Sequence, residues 1–353
     1  MSKVLNVAVV GCGIGRTHAA AFGKLPDLYR VAVICDVNRE RAAQVAALNG
    51  NPEVSTSFSE VCNRKDIDIV DICTPASFHR DQVLEALAAR KHVICEKPLV
   101  GSLQELDVLE AAEKKSGKRL MPIFQYRFGR GAHKLKFLIE RGLAGTPYLA
   151  TVETHWRRGA AYFAGGRGKW STDLGGCLTI HAIHAHDILS HLFGPVQSVF
   201  ARTATRVNAV ETEDCAAASL VFKNGALATL SATLGSCKEI TRHRFCFSKV
   251  CAESNLRPYN NGEDPWEFTG DTPEEQAAIE QALRDFEPRR ENFEGQFERY
   301  HQALLSDAPP PVTLGDARTS LELLTALYAS SRTNQPVTLP ITSSDPYYGG
   351  WQR

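Results

Sequence analysis

The chain opens with short apolar, β-branched runs separated by stretches of helical period. Leu5 to Val10 is apolar at every position but Asn6, the pattern of a strand buried on both faces of a parallel sheet, and Arg16-Thr-His-Ala-Ala-Ala-Phe then reads as a helix. The alternation continues. Tyr29-Arg-Val-Ala-Val-Ile-Cys is a second strand, Arg39 to Leu48 a helix, Ser59 to Asn63 a short helix, and Ile67-Asp-Ile-Val-Asp-Ile-Cys a third strand. Ser77 to Arg90 is a helix and His92-Val-Ile-Cys a fourth strand. Strands alternating with helices predict a doubly wound parallel sheet of the Rossmann type.

The period changes after Met121-Pro-Ile-Phe. Helix Ala132 to Arg141 is followed by runs of period-two or β-branched character at Tyr148–Thr154, Ser198–Thr205, Cys215–Phe222 and Ala226–Leu234. Residues 253–271 are polar and carry Gly, Pro and Asn, which predicts a long loop; Pro273–Phe286 and Asn292–Leu305 are amphipathic helices, and the Pro-rich Ala308 to Pro311 leads to a last helix. The expectation is therefore two domains, residues 1–123 with the parallel sheet and 124–353 of α+β type with a large, mostly antiparallel sheet. A chain of 353 residues, 43% hydrophobic, can bury two cores.

Gly11, Gly13 and Gly15 lie where the first strand meets the first helix. Gly11 can take a tight turn, Gly13 removes the side chain that would block a pyrophosphate, and the N–H groups of the helix start, from Cys12 and Ile14 onward, face an anion. The third glycine comes one position earlier than in G-x-G-x-x-G. G-x-G-x-G also marks the S-adenosylmethionine turn of methyltransferases, but there an acidic residue usually precedes the glycines, whereas here Val9 and Val10 do. Asp36 closes the second strand. A carboxylate there accepts hydrogen bonds from a ribose 2′-OH and repels a 2′-phosphate, which favours NAD over NADP, with Arg39 softening the preference.

The fourth strand runs into Glu96-Lys97-Pro98, at the strand ends that line the ligand crevice of such a sheet. Pro98 disfavours helical backbone at Lys97 and so holds the lysine at the strand end. In the second half the richest stretch is Gly175-Gly-Cys-Leu-Thr-Ile-His-Ala-Ile-His-Ala-His-Asp187. If helical after the glycines, it puts Cys177, His181 and His184 at i, i+4 and i+7 on one face, a spacing that could bind zinc in a metal-dependent hydrolase. That reading leaves the glycine turn and the lysine loop without a purpose. Substrate contacts are expected from residues with both a flat face and hydrogen-bonding capacity, and Thr154-His-Trp-Arg-Arg-Gly-Ala-Ala-Tyr-Phe with Lys169-Trp170 is such a source. Arg157, Tyr162, Trp170 and Tyr126 are the candidates, and each could instead serve the core or an interface.

Charge adds limits. Forty Lys and Arg balance forty Asp and Glu, so nothing favours nucleic acid or an acidic membrane surface, and no run approaches the ~18 apolar residues of a membrane span. The expected cofactor strand begins near residue 4, leaving no room for a leader. Ten cysteines without a C-x-x-C pair read as reduced, buried thiols of a cytoplasmic protein.

Taken in order, Gly11-Cys12-Gly13-Ile14-Gly15-Arg16-Thr17-His18, Thr74-Pro75 with His79, Glu96-Lys97-Pro98 and Gln125-Tyr126-Arg127-Phe128 resemble the glucose-fructose oxidoreductase and inositol dehydrogenase (Gfo/Idh/MocA) family. The likeness continues through Gly175-Gly176 to His184 and Asp187, Glu211-Thr-Glu-Asp214, Asn224-Gly225-Ala226, Asp316-Ala-Arg-Thr-Ser-Leu-Glu-Leu-Leu and Val337-Thr-Leu-Pro340. The resemblance implies reversible oxidation of a secondary hydroxyl of a sugar, glycoside or inositol with NAD. It makes Thr74, Pro75, His79, Glu96 and Lys97 cofactor-site residues, with Lys97 and His184 at the reacting hydroxyl. Where the family commonly has an aspartate four residues before that histidine, this chain has Ile180, so His181, Thr179 or Asp187 is expected to take over part of that role, and His181 and Asp187 to touch substrate. It also implies a homodimer or homotetramer formed through an open sheet face. A non-redox NAD enzyme, using transient oxidation for elimination or glycoside cleavage, is the alternative.

Overall fold

The computed structural model describes residues 3–351. By compactness the chain forms two units, one running through Ile123 and including Phe293–Arg318, the other comprising Phe124–Asn292 and the chain from Thr319 onward. A single boundary after residue 123 does not contain that return of Phe293–Arg318.

The first unit alternates β1 (Leu5–Val10), α1 (Gly15–Gly23), β2 (Tyr29–Cys35), α2 (Arg39–Ala47), β3 (Glu53–Ser55), α3 (Phe58–Asn63), β4 (Ile69–Ile72), α4 (His79–Ala88), β5 (His92–Cys95), α5 (Leu103–Ser116) and β6 (Leu120–Pro122). Its six strands are all parallel in the order β3-β2-β1-β4-β5-β6. β1, β4 and β5 are buried almost throughout because helices cover both faces, which is why they read as largely apolar runs, with Asp71 of β4 the buried exception. Asn38, Ser57 and Ser102 cap α2, α3 and α5 by accepting N–H bonds from the first turn. The returning segment belongs here because its aromatic residues fit this core. Phe297 stacks on Phe22 at 4.1 Å, and Tyr300 buries its ring while its hydroxyl donates to the carbonyl of Arg119.

The second unit carries α6 (Arg130–Glu140), β7 (Pro147–Arg157), α7 (Ala160–Phe163), α8 (Trp170–Asp173), α9 (Ile183–Phe193), β8 (Val196–Ala204), β9 (Cys215–Phe222), β10 (Leu227–Thr233), β11 (Gly235–Phe247), β12 (Val250–Glu253), β13 (Glu267–Gly270), α10 (Pro273–Arg284) and β14 (Val337–Thr338). Helices α11 (Asn292–Ser306) and α12 (Leu314–Thr333) each run across the partition of the chain. The eight strands order as β13-β12-β11-β7-β10-β9-β8-β14, antiparallel except for the parallel pair β7 and β10. On β7 the residues Ala150, Val152, Thr154 and Trp156 are buried, while Leu149, Thr151, Glu153 and His155 between them are not, so one face is covered and the other open. α9 packs on the covered face, where Phe193 meets Phe222, Phe245 and Phe247.

The sequence reading does not include α5, β3, β12 or the short helices α7 and α8, and two further elements show why local pattern falls short. β11, the longest strand at 13 residues, mixes charged and apolar residues because its outward positions face solvent, and it escaped the apolar-run criterion. The segment expected to be one long loop holds β13, whose four residues become a strand only by pairing with β12.

Candidate active site

In the first unit the glycine turn is built as its residue types require. Gly11 has φ +91°, and a Cβ there would lie 2.7 Å from the carbonyl oxygen of Cys73. A Cβ on Gly15 would press on Val9 and Cys73, so this glycine sets the close approach of α1 to the sheet, whereas one on Gly13 would meet nothing within 4 Å. That open space lies at the start of α1, next to Ile14, the exposed N-cap residue with no side-chain cap. It is the cradle a pyrophosphate would fill. Asp36 is buried; its carboxylate accepts the N–H of Cys12 at 2.7 Å and of Asn38 at 2.9 Å, with the Arg41 guanidinium 4.0 Å away. It therefore fixes the turn. Burial and then Asp36 push the Cys12 thiol up to about 12, so it stays protonated.

The strand ends beside the turn are tied together by histidines. His79 is buried, with Nδ1 2.9 Å from the Pro98 carbonyl oxygen and Nε2 2.9 Å from that of Thr74. Burial lowers its pKa against the two carbonyls, which favour the charged form, and the ring lies between the two loops. The Thr74 hydroxyl donates to Gln82, Pro75 is exposed, and Lys97 is half-buried with its backbone N–H donating 3.0 Å to Glu96 Oε2. Beneath them the imidazole of His18 lies between Asp71 Oδ2 at 2.9 Å and Glu96 Oε1 at 3.1 Å, with Cys73 Sγ 3.3 Å from Nδ1. Burial opposes a charge on His18, but Asp71 and then Cys73 outweigh it and hold the pKa well above the usual imidazole range.

In the second unit the segment Cys177–His181 is a π-turn leading into α9. Wider winding breaks the expected i, i+4, i+7 face. Among the described residues, the one group of three potential ligand atoms within 4.8 Å of one another is His18, Asp71 and Cys73; Cys177, His181 and His184 do not form such a group. The zinc reading is corrected on that ground. Glu213 anchors the π-turn: its carboxylate accepts the N–H groups of Gly176 and Leu178 at 3.0–3.1 Å and the Tyr328 hydroxyl at 2.8 Å. Burial raises it to about 7 despite those donors.

His184 is buried and stacks on the Tyr126 ring, centroids 4.5 Å apart and planes 20° from parallel. Tyr126 is thus part of the histidine's support, and burial raises its phenol. Asp187 is buried against an arginine. Its two oxygens accept from Nε and Nη2 of Arg127, both at 2.6 Å, in a buried pair that ties the Gln125–Phe128 turn to α9. A carboxylate so engaged holds the scaffold of the turn and the helix together. Burial and the neighbouring His243 lower His186 to about 3, leaving it neutral.

Around His181 the structure gathers aromatic faces: Trp156 at 5.2 Å, Tyr162 at 5.6 Å, and Tyr259 at 4.5 Å from Trp156. The Arg158 guanidinium spans Trp156 at 5.0 Å and Tyr162 at 5.5 Å, and bonds Glu239 at 2.8 Å. Of the aromatic and arginine candidates, Tyr162 belongs to this cluster. Arg157 is exposed, its guanidinium 3.7 Å from Cys237, and Trp170 packs against Tyr328 and under Arg332 with Nε1 donating to the Glu211 carbonyl. The cluster also holds Trp156 and Arg158, which lie in the segment expected to supply substrate contacts but are not its named candidates, and Tyr259, which lies outside it. On an alternating strand Trp156 and Arg158 share the parity of buried Thr154, a signal that would have preferred Arg158 over its neighbour; Tyr259 stands in a loop and had none.

Residues 5–124 match the family model for the oxidoreductase family with an NAD-binding Rossmann fold, and residues 132–249 that for the GFO/IDH/MocA C-terminal domain. The chain is 29% identical over 236 residues to the uncharacterized oxidoreductase YrbE of Bacillus subtilis, covering 65% of this chain and 67% of that one. It is 31% identical over 210 residues to an inositol 2-dehydrogenase of Serratia proteamaculans, covering 57% and 59%. The WlbA dehydrogenase of Bordetella pertussis, solved with NADH and UDP-GlcNAcA, superposes with a TM-score of 0.84 at 28% identity, over 96% of this chain and 100% of that one.

Proposed function

The chain belongs to the Gfo/Idh/MocA family of NAD-dependent oxidoreductases, and from that premise we propose that it reversibly oxidises a secondary hydroxyl of a cyclic sugar, glycoside or inositol to a ketone. The observation that supports this most is the cluster about His181. The rings of half-buried Tyr162 and exposed Tyr259, backed by buried Trp156, suit the C–H side of a saturated ring, while the edge of His181 suits its hydroxyls. NAD would be held by the Gly13 opening and Asp36 and, when bound, would supply the hydride acceptor. His184 takes the hydroxyl proton, its ring held by Tyr126, and the Lys97 ammonium stabilises the developing charge on oxygen. Neutral substrates are favoured, because the arginine of the cluster is already engaged by Glu239.

The open face of the eight-stranded sheet, with Leu149, Phe200 and Leu227 exposed on it, is proposed to join copies of the chain into a dimer or tetramer; sedimentation analysis reads this directly, and a monomer at micromolar concentration would refute it. All ten cysteines are unpaired and no helix among the described residues is long and apolar enough to cross a membrane, which supports the proposed cytoplasmic setting. The function is tested by denaturing purified protein to look for released nicotinamide and by screening polyols, inositols and glycosides for NADH formation. NADH with one substrate class is the expected result, and NADPH formed in preference would overturn the cofactor assignment.

A further inference from the structure

We infer that His18 is a positioning residue for Lys97: by bridging Asp71 and Glu96 it locks the carboxylate that holds the backbone of the lysine. The inference rests on the proposed role of Lys97. His18 sits on α1, the helix that begins at the glycine turn, and its side chain is fully buried. Nδ1 faces Asp71 Oδ2 at 2.9 Å and Oδ1 at 3.1 Å, and Nε2 faces Glu96 Oε1 at 3.1 Å. Glu96 Oε2 then accepts the Lys97 N–H at 3.0 Å. One imidazole thereby connects the helix expected to face the pyrophosphate with the loop that carries the lysine.

The geometry sets the protonation needed. Two carboxylates face the ring from opposite sides, so both ring nitrogens must donate, which only the imidazolium can do. The raised pKa of His18 agrees with that demand. Phe293 at 4.5 Å and Phe297 at 5.4 Å close the ring off from solvent. Such a charged, fully bonded triad in a dry core resists reorientation, because each alternative leaves a carboxylate without its donor. The cluster of His18, Asp71 and Cys73 is thereby accounted for as a hydrogen-bonded lock.

The test is a double-mutant cycle on the holoenzyme with its best polyol substrate. His18→Leu should lower kcat by roughly 30-fold or more, with KM and the NAD dissociation constant changed less than about threefold, and should cause no further loss in a Lys97→Ala background. His18→Gln, which keeps one donor toward Glu96, should recover part of kcat. Losses that multiply in the double variant would overturn the inference while leaving the catalytic reading of Lys97 intact. Should Lys97→Ala itself retain full turnover, the reading of Lys97 fails instead. A readout independent of activity decides the structural part: amide hydrogen exchange in the peptide containing Lys97 should quicken about tenfold or more in His18→Leu, and unchanged exchange would refute the lock. If burying two unpaired carboxylates prevents that variant from folding, Glu96→Ala removes the Lys97 acceptor and leaves the His18–Asp71 pair in place, and the same cycle and exchange measurement apply.

Discussion

Each unit buries a charged network, and the two differ in what they hold. In the first, the imidazolium of His18 stands between Asp71 and Glu96 and joins elements that the glycine turn and the lysine loop already bring close. In the second, the Arg127 guanidinium grips Asp187 with two parallel bonds and joins a turn to a helix 60 residues further along the chain. The first network supports a loop at a strand end, where neighbouring strands set the position. The second supports a ring: Tyr126 in the Arg127 turn stacks on His184 in the Asp187 helix. Both the histidine and the lysine rest on buried partners far apart in the chain, so both are open to single substitutions.

The largest effect should come from breaking the second network. Arg127→Leu leaves the Asp187 carboxylate buried without its guanidinium and should cost about 3–5 kcal/mol of stability in urea unfolding. Replacing Arg127 and Asp187 together by Leu and Met should recover most of that stability; if turnover returns with it, the pair does not orient His184. Next is Glu213, which anchors the π-turn. Its pKa is near 7 in the fold against 4.5 as the ordinary value, so the native state binds more protons than the unfolded state between those values. Its contribution is therefore most favourable at low pH and declines as pH rises through that window, by at most about 3 kcal/mol. The difference in unfolding free energy between wild type and Glu213→Gln, measured from pH 4 to 8, should slope accordingly, and a flat difference would show that Glu213 titrates normally.

Lys97→Ala and His184→Ala should each lower turnover by roughly 100-fold while leaving NAD binding nearly intact, as stopped-flow and NADH fluorescence would report. If His184→Ala turns over normally, the second network has a purely structural purpose. Asp36→Ala should narrow the preference for NAD over NADP by about tenfold, equal to about 1.4 kcal/mol, in the ratio of the two kcat/KM values. It should also loosen the turn, since Cys12 N–H loses its acceptor. The smallest effect separates two neighbours. Arg158→Ala should raise the substrate KM by several-fold, roughly 1 kcal/mol, through the lost cation–π packing, whereas exposed Arg157→Ala should leave it nearly unchanged.

Local pattern carried the first unit well, because its strands are buried on both faces and its turn chemistry is contiguous. Gly11, Gly13 and Gly15 each occupy a position whose space explains the residue. His79 shows the limit of such reading, since only the folded distances reveal a bracket between two loops. The second unit was legible where strands alternate cleanly, as at β7, and illegible at β11 and β13, whose identity comes from their partners.

The sequence by itself determined the family, the parallel and antiparallel sheets, the glycine turn with Asp36, and the stretch that bears His184, because these follow from residue type and spacing along a few consecutive turns. Only the tertiary structure decided that Asp187 faces Arg127, that His184 leans on Tyr126, that Cys177–His181 winds as a π-turn on Glu213, and that Arg158 and Trp156 surround His181. The reason is physical. A buried polar group must find its partner among whatever the packed core places within about 3 Å, and that choice is made by elements far apart in the chain.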